Sequence, residues 1–203
     1  MEFLHHTGPF NDVRGLLLAC SASDGDEPVS EQRDSFRQGE VLLHELARSF
    51  AEPGAAFTVK KRQNGQPYGK YRGRELAVSI THNETYCLAG IMPEGGLGID
   101  VESTGRPVHP RLSSRIHCGQ DSNCEDLDPI RLWTLKEAAL KWLGTGLRTP
   151  MNRIAIQRLT DDRFSIQTPD RRGTALSLEY NRHWIAVVFD VTEPNPQHYF
   201  SAT

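Results

Sequence analysis

The sequence predicts an α+β protein of two similar subdomains, each with a long helix packed on antiparallel strands. Apolar residues recur at helical spacing in residues 31–50 and 129–143. Short apolar runs separated by turn residues follow each of these segments. Residues 77–91 and 175–189, which lie 98 positions apart, share an apolar pattern together with an alanine, a serine and an asparagine.

This internal repeat divides the chain into subdomains 1–105 and 106–203, which we expect to be related by a pseudo-twofold axis. Two hairpins can look alike by chance, but a matching helix and strand in each half favour a true repeat. A site between two such halves would lie in a natural cleft.

The first half begins with a short buried strand near Leu16–Cys20, and its helix ends at Pro53-Gly54. Asn64-Gly65 followed by Pro67 predicts a turn. Four further strands are expected, separated by polar or glycine-rich turns, at residues 57–61, 76–81, 86–92 and 97–102.

In the second half, Gly144 and Gly146 follow the helix over 129–143 and end it. A short helix is expected at 111–117. The remaining strands are expected at 154–159, 164–167, 175–180 and 184–191. Pro194 and Pro196 end the ordered part, and the residues beyond them are expected to fray.

Composition narrows the class of protein. Hydrophobic residues make up 37% of the 203 residues and charged residues 24%, as in an ordinary globular protein. No apolar run of about 18 residues or signal-peptide pattern is present, so we expect neither membrane insertion nor export. Four cysteines without a C-x-x-C pair favour a reduced, cytoplasmic location.

A local basic patch stands out against the net charge of −3. No stacking motif accompanies it, so nucleic acid is disfavoured, and a solvated loop or a site for a polyanionic cofactor are the other interpretations. The patch comprises six residues: Lys60, Lys61, Arg62, Lys70, Arg72 and Arg74.

The sequence Gly98-Ile99-Asp100-Val101-Glu102 places two acids at the end of a predicted strand. Residues two apart point to the same face, so Asp100 and Glu102 project together. Adjacent carboxylates repel each other unless a cation lies between them, and hard oxygen ligands favour Mg²⁺ or Ca²⁺ over zinc. An exposed acidic strand end is the alternative interpretation.

The helix at 129–143 carries Trp133, Glu137 and Lys141 four residues apart on one stripe. A different face, formed by Leu132, Leu135, Ala139 and Trp142, is expected to face the core. Glu137 and Lys141 could form a simple helical ion pair. Together with two acids on a strand, however, they suit metal-assisted phosphoryl transfer.

These residues resemble a known family. The Gly98–Glu102 segment, followed about thirty residues later by Trp133-Thr134-Leu135-Lys136-Glu137-Ala138-Ala139-Leu140-Lys141, resembles the two-part signature of 4'-phosphopantetheinyl transferases. Three turns also resemble the family pattern: Asn64-Gly65-Gln66-Pro67-Tyr68, Ser79-Ile80-Thr81-His82-Asn83 and Gly144-Thr145-Gly146-Leu147. The length and internal repeat are similar to those of the monomeric, pseudo-dimeric branch typified by surfactin-type enzymes.

The resemblance implies an enzyme that moves 4'-phosphopantetheine from coenzyme A to a serine of an acyl or peptidyl carrier protein, releasing 3',5'-adenosine bisphosphate. It implies Mg²⁺, with Mn²⁺ as an alternative, held by Asp100, Glu102 and Glu137. It makes Glu137 and Lys141 catalytic. The implied coenzyme A contacts are Lys61 or Arg62, Thr81, His82, Lys136 and Lys141.

Two departures from the family pattern concern coenzyme A. The lysine of the family's Gly-Lys-Pro turn is Gln66 here, and the serine-histidine turn has Thr81 and Asn83 in place of its serines. Neither departure touches the metal acids. We expect activity, with coenzyme A affinity the quantity most affected.

Other functions fit parts of the pattern. A nuclease or pyrophosphatase could use the same acids, and a non-catalytic carrier-binding module could keep the same fold. His117, Cys118 and Cys124 could hold zinc, although their spacing matches no common zinc motif. A carrier protein could dock on Trp142, Leu143, Leu147 and Arg148, which are apolar and basic.

Overall fold

The computed structural model describes residues 1–22, 32–52, 54–107 and 109–190. Several sequence-based expectations therefore lie outside the described residues: residue 31 as part of the first helix, Pro53 as part of its stop signal, the strand end at 191, and the frayed tail after Pro194 and Pro196.

The first of two compact units contains Met1–Leu97. Its antiparallel sheet has six strands in the order β1-β2-β6-β5-β4-β3. These are β1 (Glu2–Phe3), β2 (Leu17–Ala22), β3 (Phe57–Lys61), β4 (Pro67–Tyr71), β5 (Arg74–His82) and β6 (Tyr86–Met92). Helix α1 (Gln32–Arg48) packs on β6, β2, β5 and β3.

The second unit, Gly98–Val191, has a five-stranded sheet in the order β7-β11-β10-β9-β8. Its strands are β7 (Leu97–Ser103), β8 (Ala155–Arg158), β9 (Arg163–Gln167), β10 (Arg172–Tyr180) and β11 (His183–Asp190). Helix α3 (Pro129–Leu143) packs on β11 and β10, and the short helix α2 (Pro110–Ile116) packs on α3. The α+β class expected from the sequence is confirmed.

The division between the units falls between Leu97 and Gly98, whereas the sequence-based boundary was placed after residue 105. The difference concerns β7, which hydrogen-bonds to β11 in the second sheet. The two candidate acids of β7 therefore lie in the same unit as α3. The pseudo-twofold axis stays a prediction.

Buried residues in the cores of the two units correspond at a spacing of 97 residues rather than 98. Inward-facing pairs at this spacing are Val78 and Ala175, Ala89 and Ala186, and Ile91 and Val188. Helices α1 and α3 begin 97 residues apart as well. A shift of one residue exchanges the two faces of a strand, so the spacing of 98 was wrong. Identical residues in the two hairpins favoured the spacing of 98, although the strand residue Ala175 is in its core cluster whereas Ala77 is not.

Strand β4 is absent from the sequence-based interpretation because Pro67 suggested a turn continuing from Asn64-Gly65. Proline is acceptable as the first residue of a strand, where it stands here. Gly69 passes close to an aromatic ring of β3, since a Cβ atom there would lie 2.8 Å from Phe57 Cε2. The glycine therefore serves packing within the sheet.

Neither unit contains, in its described residues, a helix that combines the length and the apolar character required to cross a membrane.

Candidate active site

Strand β7 carries Asp100 and Glu102 on one side and Ile99 and Val101 on the other. Ile99 and Val101 are buried in the hydrophobic core. Asp100 is almost fully buried, at 6% exposure, and Glu102 is partly buried. The predicted alternation therefore places both carboxylates on the side of the strand opposite these apolar residues.

Gly98 sets the distance between β7 and α3. A Cβ atom at this position would overlap the Ala138 carbonyl oxygen and the Trp142 backbone nitrogen. The strand and the helix are thus in backbone contact here, which a side chain would prevent. This close approach lets side chains of β7 and α3 meet.

Helix α3 has well-formed ends. Asp128 accepts a hydrogen bond from the Ile130 backbone N–H, Pro129 occupies the first turn, and Gly144 ends the helix at φ 69°. The face predicted to be core is buried, as expected for Leu132, Leu135, Ala139 and Trp142. The stripe of Trp133, Glu137 and Lys141 is partly exposed. This agrees with the expectation that it lies on a different face of the helix from the core residues.

Lys141 ties the last turn of α3 to β7. Its Nζ donates to Asp100 Oδ1 at 2.7 Å and to the Ile99 carbonyl oxygen at 3.0 Å. The lysine charge thereby offsets the buried Asp100 carboxylate.

Glu102 is bound by two donors. The Trp133 indole Nε1–H donates to Glu102 Oε1 at 3.0 Å, and the Arg106 guanidinium forms an ion pair with the same oxygen. The guanidinium also lies 5.6 Å from the Trp133 ring centroid. Sequence reasoning missed Arg106. The signal available was its position four residues after Glu102, just beyond the end of the strand.

Glu137 completes a group of three acids, which we call the carboxylate cluster: Asp100, Glu102 and Glu137. The pKa of Glu137 is raised to about 7, mainly because the carboxyl is buried and next because Asp100 is negatively charged. Lys141 opposes this rise, and Glu102 adds to it. The structure therefore brings Asp100, Glu102, Glu137 and Lys141 together.

In the conformation seen, no three or more histidine, cysteine, aspartate or glutamate side chains among the described residues are arranged to hold a metal ion. This applies to the zinc alternative at His117, Cys118 and Cys124, and to the carboxylate cluster as it stands. The chemistry of the cluster nevertheless fits a hard divalent cation, because its donors are carboxylate oxygens and the negative charges of Asp100 and Glu102 help to raise the pKa of Glu137. Two of these carboxylates are instead neutralised by Lys141 and Arg106.

Lys136 does not share the stripe of Glu137 and Lys141. Its side chain is 0% exposed, and its Nζ lies 3.0 Å from Asp121 Oδ2. Asp121 also accepts hydrogen bonds from the backbone N–H groups of Cys118 and Ile156. Burial lowers the pKa of Lys136, and Asp121 opposes that shift. In this structure Lys136 holds the segment around Asp121 and is inaccessible to coenzyme A.

The other candidate contacts for coenzyme A lie in the first unit. Lys61 is exposed, with its ammonium 3.6 Å from the Phe36 ring centroid. Arg62 is exposed and forms an ion pair with Glu75. Thr81 is buried in β5, and His82 is exposed at the end of that strand. Their roles stay predictions.

The predicted docking surface after α3 needs correction. Trp142 is buried, and its indole Nε1–H donates to Asp190 at 3.0 Å, so it cannot present an apolar surface to a partner. Leu143 is partly buried and Arg148 is exposed. The side chain of Leu147 lies outside the described residues.

Comparison with known proteins agrees with the geometry of the second unit. A family model described as the 4'-phosphopantetheinyl transferase superfamily matches residues 96–197, half of the chain. That range contains β7, α3 and the complete carboxylate cluster.

Three curated relatives have similar sequences. A Synechocystis sp. protein, provisionally named a 4'-phosphopantetheinyl transferase, is 24% identical over 78% of this chain and 68% of its own length. The 4'-phosphopantetheinyl transferase psf-1 of Bacillus pumilus is 20% identical over 70% of this chain and 64% of its own. The enzyme Sfp of Bacillus subtilis is 25% identical over 59% of this chain and 57% of its own. On the family match and the arrangement of β7 and α3, the chain belongs to the 4'-phosphopantetheinyl transferase superfamily.

Proposed function

We propose that this protein transfers the 4'-phosphopantetheine group from coenzyme A to a serine hydroxyl of an apo acyl or peptidyl carrier protein. The serine oxygen forms a bond to the phosphorus next to pantetheine, and 3',5'-adenosine bisphosphate leaves. We further propose a cytoplasmic monomer. All four cysteines, each within the described residues, are free thiols, in keeping with a reducing compartment.

One observation carries the proposal: the side chains of β7 and α3 meet at a partly buried group of three acids and one lysine. Lys141 reaches from α3 to Asp100 of β7, and Trp133 reaches from α3 to Glu102. Phosphoryl transfer needs little covalent chemistry from the protein and depends on positioning and on neutralising charge. A rigid strand and a rigid helix in backbone contact are suited to that task.

Glu137 is the candidate acceptor for the serine proton. Without a bound ion its pKa is about 7, raised mainly by burial, so the carboxyl can take up or release a proton near neutral pH. Lys141 is held by Asp100 and by the Ile99 carbonyl oxygen, and so its positive charge is fixed beside the cluster, where it can neutralise a phosphate oxygen.

The carboxylate cluster would hold the Mg²⁺ or Mn²⁺ ion. When bound, the ion supplies positive charge to the pyrophosphate of coenzyme A. The remaining contacts proposed for coenzyme A are Lys61 or Arg62, Thr81 and His82. Lys136 is no longer among them, because it is buried against Asp121.

The carrier protein is proposed to dock on α2. The segment from Ser103 to Gln120 contains three arginines and two histidines and no acidic residue. Arg111 and Arg115 are exposed on α2. The recognition helix of the family's carriers is usually acidic, so this basic helix offers it opposite charge.

The test is to incubate the protein with apo carrier, coenzyme A and Mg²⁺ and to measure the mass of the carrier. The wild-type protein should add the mass of one phosphopantetheine group. Asp100→Ala should reduce the rate at least about 100-fold, since it removes charge that acts in the transition state. Glu125→Gln, which alters an exposed glutamate of the same unit, is the matched control and should leave the rate unchanged.

An unmodified carrier with the wild-type protein would contradict the proposed activity. Full activity of Asp100→Ala would contradict the site. Release of phosphate from coenzyme A or cleavage of a nucleic acid, without carrier modification, would instead support the nuclease or pyrophosphatase alternative.

A further inference from the structure

Among the residues that the structure describes, Arg106 is the one cation at the carboxylate cluster for which the proposed reaction has no role. It lies beyond the end of β7, where its backbone N–H donates to the Ser103 carbonyl oxygen at 3.1 Å. From there its guanidinium reaches back to Glu102. The two partners differ in burial, because the Arg106 side chain is 44% exposed and the Glu102 side chain only 16% exposed.

The Glu102 carboxylate is held differently by its two donors. Trp133 belongs to α3, which is packed into the core, so its indole N–H fixes the orientation of the carboxylate. Arg106 belongs to the turn after β7 and adds charge without being anchored in the core. Loss of the Arg106 contact would therefore leave the orientation of Glu102 in place.

The charges of the cluster are balanced in pairs. Lys141 pairs with Asp100, and Arg106 pairs with Glu102, while neither ion pair includes Glu137. Three carboxylates accompanied by two cations carry less negative charge than three carboxylates alone. A divalent ion approaching the cluster is attracted less strongly as a result.

We propose that Arg106 is a built-in counter-cation that competes with the divalent metal ion for Glu102 and thereby sets the metal affinity of the carboxylate cluster. The proposal rests on the proposed function for the presence of a metal at this cluster. Metal binding requires the guanidinium to leave Glu102 for solvent, which its exposure permits. The free protein keeps Glu102 neutralised and oriented until metal arrives.

The test measures Mn²⁺ binding to the full chain at fixed ionic strength, without coenzyme A or carrier. Free Mn²⁺ is quantified by its electron paramagnetic resonance signal. Arg106→Gln should tighten binding by roughly threefold to tenfold, because a nearby positive charge is removed. Arg106→Lys keeps the charge and should bind Mn²⁺ with nearly wild-type affinity.

Arg153→Gln is the matched control. Arg153 is an exposed arginine of the same unit and takes part in no ion pair of the described residues. Its substitution changes the net charge by the same amount without touching Glu102. It should leave the Mn²⁺ dissociation constant unchanged, which separates a local effect from a general one.

Trp133 supplies a second readout. The indoles of Trp142 and Trp184 donate to Asp190 and Asp128, so Trp133 is the tryptophan bound to Glu102. Mn²⁺ or Mg²⁺ should change the protein fluorescence, and the midpoint of that change should move to lower metal concentration in Arg106→Gln. Trp133→Phe should abolish the change.

An Mn²⁺ affinity of Arg106→Gln equal to or weaker than that of the wild type would overturn the inference, as would failure of both proteins to bind Mn²⁺. Tighter binding by Arg106→Gln in a protein that fails to modify a carrier would support the inference and contradict only the proposed function.

Discussion

Helix α1 of the first unit and helix α3 of the second carry stripes of similar composition 97 residues apart. Each stripe has an aromatic residue, a glutamate and a basic residue at intervals of four: Phe36, Glu40 and His44 on α1, and Trp133, Glu137 and Lys141 on α3. Both helices pack on the middle strands of an antiparallel sheet.

The two stripes differ in what lies against them. On α1, the Lys61 ammonium covers the Phe36 ring, and the ring of His44 meets that of Phe57 edge-on at 5.4 Å. On α3, the corresponding positions face the acids of β7. Helix and sheet therefore give both units a stripe of similar residues at corresponding positions. The residues that lie against the stripe, as the acids of β7 do on α3, determine whether it can take part in chemistry.

The largest effect should come from Gly98→Ala. The new Cβ would overlap backbone atoms of Ala138 and Trp142, which can move only if α3 separates from β7. We expect a loss of more than about 3 kcal/mol in the free energy of unfolding, at the upper end for overpacking. Urea denaturation measures it.

The matched substitution in the first unit is Gly39→Ala. Its Cβ would overlap Ile80 Cγ2, so the Ile80 side chain must move, but the overlap involves no backbone atom, and alanine favours the helix by about 1 kcal/mol. We expect a much smaller loss than for Gly98→Ala. Equal losses would show that β7 and α3 are no more closely packed than α1 and its sheet.

Lys136 stands at the position that Gly39 occupies in α1. Lys136→Met leaves Asp121 buried without its cation, although Asp121 keeps two backbone hydrogen bonds. We expect a loss of about 2–3 kcal/mol in the free energy of unfolding. Coenzyme A affinity, measured by calorimetry below the unfolding temperature, should not change. Weaker coenzyme A binding at unchanged stability would restore the ligand role that the resemblance implied.

Glu137 should give the metal-free protein a distinct dependence of stability on pH. Its pKa rises from 4.5 to about 7 on folding, so the folded state binds more protons than the unfolded state between these values. The free energy of unfolding therefore decreases as pH rises from about 4.5 to 7. Glu137→Gln lacks this decrease and should become more stable than the wild type, by up to about 3 kcal/mol, at pH 8.

Urea midpoints at pH 5 and pH 8 in a chelating buffer test this prediction. The exposed Glu125, changed to Gln, is the control and should follow the wild type at both pH values. A difference between Glu137→Gln and the wild type that is the same at both pH values would contradict the raised pKa.

The smallest effect concerns carrier docking. Arg115→Glu on α2 should raise the KM for an acidic carrier by about threefold to tenfold and leave the KM for coenzyme A unchanged, because rim charges act mainly on association. Arg148→Glu, after α3, tests the docking surface first expected from the sequence. A larger KM change at Arg148 than at Arg115 would move the docking surface away from α2.

The sequence allowed α3 to be predicted with its bounds, its buried face and its stripe, because helical spacing over fifteen residues agrees with the glycine stop signals that follow. The two acids of β7 followed from strand alternation. Strand β4 was missed, since Pro67 after Asn64-Gly65 suggests a turn when its neighbours in the sheet are unknown.

The features that could not be predicted depend on side-chain contacts that only the folded chain reveals. Lys136 looks like a solvated lysine until Asp121, fifteen residues earlier, is seen to bury it. Arg106 is recognised as part of the candidate site only through its contacts with Glu102 and Trp133. The spacing of the repeat was wrong by one residue because identical residues indicate similarity of sequence but do not show which face of the sheet each residue occupies.

The most direct test compares Glu137→Gln with Glu40→Gln, the same change at corresponding positions of α3 and α1. The measurement is kcat/KM for phosphopantetheine transfer to the apo carrier, followed by mass. Glu137→Gln should lower it at least about 100-fold, and Glu40→Gln should stay within about twofold of the wild type. Wild-type activity of Glu137→Gln, or an equal loss in Glu40→Gln, would contradict the placement of the chemistry at β7 and α3.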